Sequence, residues 1–269
     1  MNTNHWTIVG SHGETIFGST EAPDGLARGV ALLAHGFKGY KDYGMFPWLS
    51  RQLASIGLIS HRFNFSHSGM QAGIDEFERP DLFEKDTWNR QVEDLKVLAD
   101  TFRQSELPLY IIGHSRGGVA CLLATGRGQV SPDKLVSIAA PSTCLSMSED
   151  VQEDLLRSGF IVSPSARTNQ DLRVGSCFLQ EQLDDPANHD LLQLATQIEC
   201  PVLVVHGEED DAVPVSASSN IANQTNGACV VIDNANHVFN TTNPFPNGDC
   251  PSPQLQALWN ATQSFLLES

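Results

Sequence analysis

Basic residues and long apolar runs are scarce in this sequence. Lys and Arg number 16 against 32 Asp and Glu, which gives a formal net charge of −16 at pH 7. Nucleic acids and anionic membranes repel such a chain, so we expect neither as a partner. No apolar run approaches the roughly 20 residues that cross a bilayer. Both deficits indicate a globular protein.

The sequence also lacks cysteine and histidine residues at the spacing of metal ligands, and it lacks an export signal. The six cysteines are widely spaced, with no Cys-X-X-Cys pair and no Cys/His grouping, so we expect no metal site. The stretch MNTNHWTIVGSHGET has neither the positive start nor the apolar core of a signal peptide. We therefore expect a cytoplasmic protein with reduced thiols.

What is present is an alternation of apolar strands and helices, typical of a parallel sheet. With 269 residues, 41% of them hydrophobic, the chain can bury the core of one α/β domain. An antiparallel hairpin is predicted over residues 5–19. The predicted strands that follow are 30–34, 58–63, 109–112, one that ends at Pro141, 201–205 and one from Ala228; the predicted helices are 43–56, 85–104 and 116 to about 125. Residues 142–199 interrupt this alternation with a polar, weakly helical stretch.

The motif GHSRGG, Gly113 to Gly118, lies between the apolar run LYIIG and the helical pattern VACLLA. The serine of a GxSxG elbow sits on a strained strand-to-helix turn, and the residues two positions away must be tiny. A helix that begins at Arg116 directs unpaired N–H groups toward Ser115, where negative charge would develop during acyl transfer. The pattern predicts Ser115 as a nucleophile; an ordinary turn is the alternative.

A serine hydroxyl needs a base and an orienting carboxylate, which follow it in the order Asp or Glu, then His. The segment PVLVVHGEEDDAVP ends an apolar strand in four consecutive carboxylates, and ACVVIDNANHVFN carries His237 after another strand. The spacing HGxxDxxVP favours Asp210, with Asp211 as the close alternative. We predict a triad of Ser115, Asp210 and His237; a solvated acidic loop and an idle loop histidine are the alternatives.

A second oxyanion donor is predicted in VALLAHGFKGYKD, residues 30–42. The strand ends at His35, and Gly36 lets the backbone turn so that the N–H of Phe37 faces the substrate oxygen. Together with the N–H of Arg116, this predicts a two-donor oxyanion hole.

The motifs HGFKG, GHSRGG, HGEEDDAVP and NANH resemble those of the α/β-hydrolase superfamily, and the resemblance runs over most of the chain. HGFKGYKDYGMFPWLSRQLASIGLISHRFNFSHSG is similar to bacterial dienelactone-hydrolase-like and cinnamoyl or feruloyl esterase-like hydrolases. The resemblance implies an eight-stranded, mostly parallel sheet with helices on both faces and a cap inserted after strand six. The core domain would comprise residues 1–141 and 200–269, and the cap residues 142–199.

The resemblance also implies ester hydrolysis without a cofactor, with the triad and oxyanion residues named above. Candidate pocket residues are Tyr40, near the oxyanion loop, and Phe160 and Phe178, in the cap; packing of the cap onto the body is the alternative role. Two features depart from the pattern. Many esterases have Met or Gln where this chain has Arg116, whose side chain would bind a substrate carboxylate or pair with a nearby acid. FSHSG stands where many relatives read GHGxS.

We therefore expect a serine carboxylesterase that acts on a small to medium ester through an acyl-enzyme on Ser115. Thioesterase, lactonase and aminopeptidase activities use the same triad and remain alternatives. Dienelactone hydrolases in the strict sense use a cysteine nucleophile, so Ser115 argues against that reaction. A non-catalytic ligand-binding protein on a hydrolase fold is the alternative from a different class. The sequence leaves the oligomeric state open.

Overall fold

The computed structural model describes residues 3–246 and 248–268. The strands in this part of the chain are β1 (Thr3–Val9), β2 (Thr15–Glu21), β3 (Gly29–Ala34), β4 (Leu58–Asn64), β5 (Leu109–His114), β6 (Lys134–Ile138), β7 (Phe160–Ser165), β8 (Gln170–Gly175), β9 (Val202–Gly207) and β10 (Ala228–Ile232). The α-helices are α1 (Phe46–Ser55), α2 (Pro80–Glu84), α3 (Trp88–Phe102), α4 (Arg116–Gly126), α5 (Glu149–Ser158), α6 (Cys177–Asp184), α7 (Leu191–Ala195), α8 (Ser216–Thr225) and α9 (Pro253–Leu267). None of these helices combines the length and the apolarity needed to cross a membrane.

Eight strands form one sheet in the order β1-β2-β4-β3-β5-β6-β9-β10. The strands from β4 to β10 in this order pair in parallel, whereas β2 is antiparallel to both of its neighbours. This confirms the predicted eight-stranded, mostly parallel sheet, and β1 and β2 form the predicted amino-terminal hairpin.

Alternate side chains along β3 enter two separate hydrophobic cores, one on each face of the sheet. Val30 and Leu32 belong to a core shared with α3 and α4. Ala31 and Leu33 point to the opposite face and belong to a second core shared with α1 and α9. All four side chains are almost fully buried. A strand buried on both faces reads as a continuous apolar run, as GVALLA does.

The segment between β6 and β9 contains α5, the hairpin of β7 and β8, α6 and α7. The antiparallel hairpin was not predicted, since a weakly helical stretch was expected there. Leu172 and Val174 on β8 are buried in the core that contains α3 and α4, whereas Asp171 and Arg173 between and beside them are exposed. One face of the hairpin therefore packs on the body. The division into core and cap domains stays a prediction.

The carboxyl ends of the parallel strands meet at one edge of the sheet, where open α/β sheets bind their ligands. The loops after β3, β5, β9 and β10 begin at this edge. They carry the four residues Phe37, Ser115, Asp210 and His237. The topology thus brings together residues that are distant along the chain.

Candidate active site

Ser115 occupies a strained turn between β5 and α4. Its φ is 54° and its ψ is −122°, a conformation that costs free energy for any residue with a side chain. A Cβ atom on Gly113 would lie 2.3 Å from the carbonyl oxygen of Gly117. A Cβ atom on Gly117 would lie 2.4 Å from the carbonyl oxygen of Ala34. The two glycines of the elbow are therefore required by the close approach of the backbone.

A buried carboxylate holds the ring of His237. Asp210 Oδ2 lies 2.8 Å from Nδ1 of His237, and Oδ1 accepts the N–H groups of Ala212 and Val213, each at 2.9 Å. The Asp210 side chain has no exposed surface, whereas that of His237 is 20% exposed. This contact places Asp210, and not the exposed Asp211, beside the histidine.

The protonation state of this pair follows from its hydrogen bonds. Burial alone would raise the pKa of Asp210, but hydrogen bonds from His206, His237 and the Val213 N–H outweigh burial and hold that pKa well below its ordinary value. An ionised carboxylate can only accept hydrogen bonds, so Nδ1 of His237 carries the proton. In the neutral ring this tautomer leaves a free lone pair on Nε2 of His237, which can act as a base.

Two asparagines shape the loop that presents His237. Oδ1 of Asn236 accepts the N–H groups of Val238 and Asn240, at 3.1 Å and 2.8 Å. Oδ1 of Asn240 in turn accepts the N–H of Asn236 at 3.0 Å. Asparagine is suited to such loops because its side chain bonds to nearby backbone. These contacts explain why the histidine follows an Asn-rich turn.

The loop after β3 approaches the elbow closely. A Cβ atom on Gly36 would lie 3.0 Å from Cβ of Ser115, so glycine leaves room for the serine. Burial lowers the pKa of His35 to about 4, and the neutral ring donates from Nδ1 to the Gly36 carbonyl at 2.8 Å. Nε2 of His35 accepts the N–H of Phe65 at 3.3 Å. Both ring nitrogens therefore anchor the turn that carries Phe37.

The backbone N–H groups of Phe37 and Arg116 are available to a ligand. No hydrogen bond within the described ranges uses either of them. Phe37 follows the turn at Gly36, and Arg116 is the first residue of α4, where N–H groups have no partner within the helix. Two free donors near one serine are what an oxyanion requires.

Two further histidines contact the His237–Asp210 pair. Nε2 of His114 lies 2.9 Å from the backbone carbonyl oxygen of His237, and burial lowers the pKa of His114 to about 3. Nε2 of His206 lies 3.1 Å from Asp210 Oδ2 and 3.0 Å from the carbonyl oxygen of Val213. The place of His206 at the end of a strand, beside Gly207, predicts support of the acid loop, but its contact with Asp210 and that of His114 with His237 were not predicted. The four-residue spacing of His206 and Asp210 across the end of β9 is the one local signal for them.

The Arg116 side chain is paired with an acid. Its Nη2 lies 3.1 Å from a carboxylate oxygen of Asp86. The guanidinium packs on the rings of Phe37, Trp88 and Phe178 at 5.5, 4.8 and 4.6 Å. Burial raises the pKa of Asp86 to about 6 despite the charge of Arg116. Of the two roles considered for this side chain, the structure shows the ion pair.

A cavity of about 230 Å³ opens beside Ser115. It is lined by Gly36, Phe37, Lys38, Gly39, Tyr43, Phe46, His114, Ser115, Pro164, Ser165, Ala166, Arg167, His237 and Val238. Ser115 and His237 thus share one cavity with the oxyanion loop. Pro164 to Arg167, from the end of β7 and the turn that follows it, also line it.

The predicted pocket residues Tyr40, Phe160 and Phe178 do not line this cavity, which corrects that prediction. Tyr40 is buried beneath the guanidinium of Arg167, at 4.6 Å from ring to charge. Phe178 packs against Arg116, and Phe160 packs against an arginine on β8. The aromatic wall is formed instead by Phe37, Tyr43 and Phe46.

The groups that meet at this cavity decide which chemistry it could support. In the part of the chain described, no group of three or more His, Cys, Asp or Glu side chains is placed to hold a metal ion. The groups present are a hydroxyl on a strained turn, an imidazole oriented by an ionised carboxylate, and two free N–H donors. Together they fit nucleophilic acyl transfer.

Comparison with known proteins gives one family and many related folds. Residues 31–246 match the profile of the Alpha/beta hydrolase family. No curated protein matches the sequence. The esterase Est1E from Butyrivibrio proteoclasticus, also solved with ferulic acid bound, is 17% identical; the alignment covers 98% of this chain and 97% of that one, with a TM-score of 0.69.

Two other solved structures have a similar fold. A putative hydrolase from Agrobacterium vitis is 17% identical, with 98% of this chain and 99% of that chain covered and a TM-score of 0.74. A dienelactone hydrolase from Anabaena variabilis is 16% identical, with 99% and 98% covered and a TM-score of 0.62. At these identities the likeness shows a shared fold.

Proposed function

Since this chain belongs to the alpha/beta hydrolase family and is a hydrolase, we propose that it cleaves a carboxylic ester of a small to medium substrate through an acyl-enzyme on Ser115. The observation that carries the proposal is the shared cavity. Ser115 on its strained turn and His237, hydrogen-bonded to Asp210 at 2.8 Å, both line that cavity. A protein that only bound a ligand would not need this combination of groups.

The proposed reaction has two acyl-transfer steps. Nε2 of His237 takes the proton of Ser115 as Oγ attacks the ester carbonyl carbon, and the N–H groups of Phe37 and Arg116 hold the oxyanion. The tetrahedral intermediate collapses, and the departing alcohol receives the proton from His237. Water, deprotonated by the same ring, then attacks the acyl-enzyme and releases the carboxylic acid and the free serine.

The surroundings of His237 support this cycle. Asp210 stays ionised, so it keeps the proton on Nδ1 and stabilises the imidazolium that forms on Nε2. The neighbouring ring of His114, with its centroid 4.8 Å from that of His237, is neutral because burial lowers its pKa to about 3. The imidazolium of His237 is therefore stabilised by the Asp210 carboxylate and is not repelled by a charge on His114.

The cavity supports a short substrate. Its volume of about 230 Å³ lies below the roughly 300–1,000 Å³ of pockets that enclose drug-sized ligands. Phe37, Tyr43 and Phe46 supply an apolar wall for an acyl or alcohol group. We expect activity to fall as the acyl chain outgrows this space.

The proposal is tested with p-nitrophenyl esters from acetate to decanoate, for the wild type, Ser115→Ala and the control Ser219→Ala. Ser219 is an exposed serine on α8. We expect short esters to be hydrolysed by the wild type and the control, and Ser115→Ala to lose at least about 10³-fold in kcat. Folded wild type that hydrolyses none of these esters, or a Ser115→Ala variant that keeps its activity, would contradict the proposal.

Parallel assays with a thioester, a lactone and an aminoacyl p-nitroanilide distinguish the alternatives that share the triad. We propose the ester as the preferred substrate and a small molecule as the partner. We also propose a cytoplasmic location, in which the six cysteines would stay reduced. Recovery of the native protein from the medium or the periplasm would contradict that location.

A further inference from the structure

The charge of the cavity beside Ser115 is opposite to that of the protein. Acidic residues outnumber basic ones two to one, 32 against 16. The lining nevertheless contains the two cations Lys38 and Arg167, and no described Asp or Glu belongs to it. Asp210 lies behind His237, with its charge shared between two histidines. Apart from the histidines, the charged side chains among the described lining residues are therefore both cations.

Lys38 extends from the loop that carries Phe37 and has unused donors. Its Nζ donates to the carbonyl oxygen of Pro164 at 2.6 Å, which fixes the ammonium between the oxyanion loop and the β7–β8 hairpin. An ammonium has three N–H groups, so two remain. No carboxylate in the described chain forms an ion pair with Lys38. Partial burial lowers its pKa, as expected for a cation without a counter-ion.

Arg167 faces the cavity from the turn of the hairpin and is held in a fixed orientation. Its guanidinium packs on the rings of Tyr40 and Phe77, at 4.6 Å and 5.3 Å. Nη1 donates to the carbonyl oxygen of Ile74, and Nη2 lies 3.6 Å from the sulfur of Met70. Three of the five N–H groups remain, and no described carboxylate pairs with this side chain either.

Arg116, unlike Lys38 and Arg167, has a carboxylate partner. That cation also lies near the nucleophile, but Asp86 neutralises it at 3.1 Å and it does not line the cavity. Because the chain has twice as many acidic as basic residues, a carboxylate partner is readily available to a cation near the site. Two cations that line one small cavity, both without a carboxylate partner among the described residues, therefore indicate that the counter-ion is supplied by the ligand.

We propose that the substrate is a short ester that carries a carboxylate, and that Lys38 and Arg167 bind this carboxylate while Ser115 attacks the ester carbonyl. This inference rests on the proposed function and names its substrate class. A carboxylate suits the pair because a guanidinium presents parallel N–H groups and an ammonium adds a point charge.

The experiment compares matched charged and neutral esters. Mono-p-nitrophenyl adipate and p-nitrophenyl hexanoate differ in charge on the acyl side; 4-acetoxybenzoate and 4-methylphenyl acetate differ on the alcohol side. The readout is the ratio of kcat/KM for the charged ester to that for its neutral partner, so that a general loss of activity cancels. The variants are Lys38→Met, Arg167→Met, their double variant and the charge-preserving Arg167→Lys.

Arg173→Met is the matched control. Arg173 lies on the same hairpin, is exposed, packs on Phe160 at 4.1 Å and does not line the cavity. Its loss changes the net charge as much as the loss of Arg167 does. Any change in the ratio that comes from the net charge of the protein will therefore appear in this variant too.

For at least one pair we expect the ratio to fall by about tenfold in each single variant and further in the double variant, as for a lost hydrogen bond to a charged group. Arg167→Lys keeps the charge but loses the guanidinium that stacks on Tyr40 and Phe77, so its ratio should lie between those of the wild type and Arg167→Met. Arg173→Met should leave the ratio unchanged. A fall of less than tenfold in the double variant for both pairs, or an equal fall in Arg173→Met, overturns the inference. If the neutral esters are still hydrolysed through Ser115 in that case, the proposed function stands; if no ester is hydrolysed at all, the proposed function fails first.

Discussion

Replacement of Asp210 by Asn should change the tautomer of His237 without changing its position. Oδ1 of Asp210 accepts two backbone N–H groups at 2.9 Å, from Ala212 and Val213, so the asparagine oxygen must stay on that side. The amide NH₂ then takes the place of Oδ2 and faces Nδ1 of His237. Since NH₂ only donates, Nδ1 must accept and the proton moves to Nε2. The atom that should deprotonate Ser115 is then already protonated.

The expected loss in kcat is about 10⁴-fold, or about 5.4 kcal/mol of transition-state stabilisation, as for a triad with the wrong tautomer. The assay is hydrolysis of p-nitrophenyl acetate, with circular dichroism and thermal unfolding to confirm the fold. Asp211→Asn is the matched control because it removes the same charge from an exposed neighbour. We expect this control to keep its activity within about twofold. Asp210→Asn with near wild-type kcat, or an equal loss in Asp211→Asn, would refute the reasoning.

Three further changes test other parts of the structure. Gly117→Ala would place Cβ 2.4 Å from the Ala34 carbonyl oxygen and should lower the free energy of unfolding in urea by about 3 kcal/mol, whereas Gly25→Ala, with open space around it, should be neutral; equal stabilities would show that the elbow is not crowded. Burial raises the pKa of Asp94 to about 7. Between about pH 4 and pH 7 the folded protein therefore keeps a proton on Asp94 that the unfolded chain has released. The free energy of unfolding falls as the pH rises through this window. Asp94→Asn should remove this contribution, up to about 4 kcal/mol across that window; identical pH slopes for the two proteins would contradict the assignment. His206→Phe removes a contact to the Asp210 carboxylate and should lower kcat about tenfold with little change in KM; a steady-state kcat equal to that of the wild type would count against the proposed positioning role.

The central strands and the elbow could be predicted because their signals are local. The predicted strands 30–34, 58–63 and 109–112 correspond to β3, β4 and β5, with ends that differ by at most two residues. Buried parallel strands read as apolar runs, and the crowding at Gly113 and Gly117 leaves a readable spacing. Family resemblance supplied the strand count.

The hairpin of β7 and β8 and the carboxy-terminal helix α9 were not predicted. In β7 the pattern FIVSPS is short, contains a proline and has only one buried residue, Ser165, so its alternation of buried and exposed side chains is weak. Strand β7 is stabilised by antiparallel pairing with β8, and the sequence of the turn between the two strands carries only a weak turn signal. Tertiary packing decides such segments.

The sequence predicts which residues form the candidate site better than it predicts the contacts between them. His114 and His237 are 123 positions apart, and their hydrogen bond depends on the packing of two loops. Aromatic residues near a site carry no local signal for the side on which they will lie. Tyr40 and Phe178 therefore pack against Arg167 and Arg116 and do not line the cavity themselves.

The most direct test of the central claim, an activated serine at position 115, is labelling with a fluorophosphonate followed by mass spectrometry of the digested protein. We predict a single phosphonylated peptide with the adduct on Ser115, and no labelling in Ser115→Ala. The adduct should also form much more slowly in Asp210→Asn, in proportion to its loss of kcat. An unlabelled but folded wild type, or an adduct on another residue, would contradict the account.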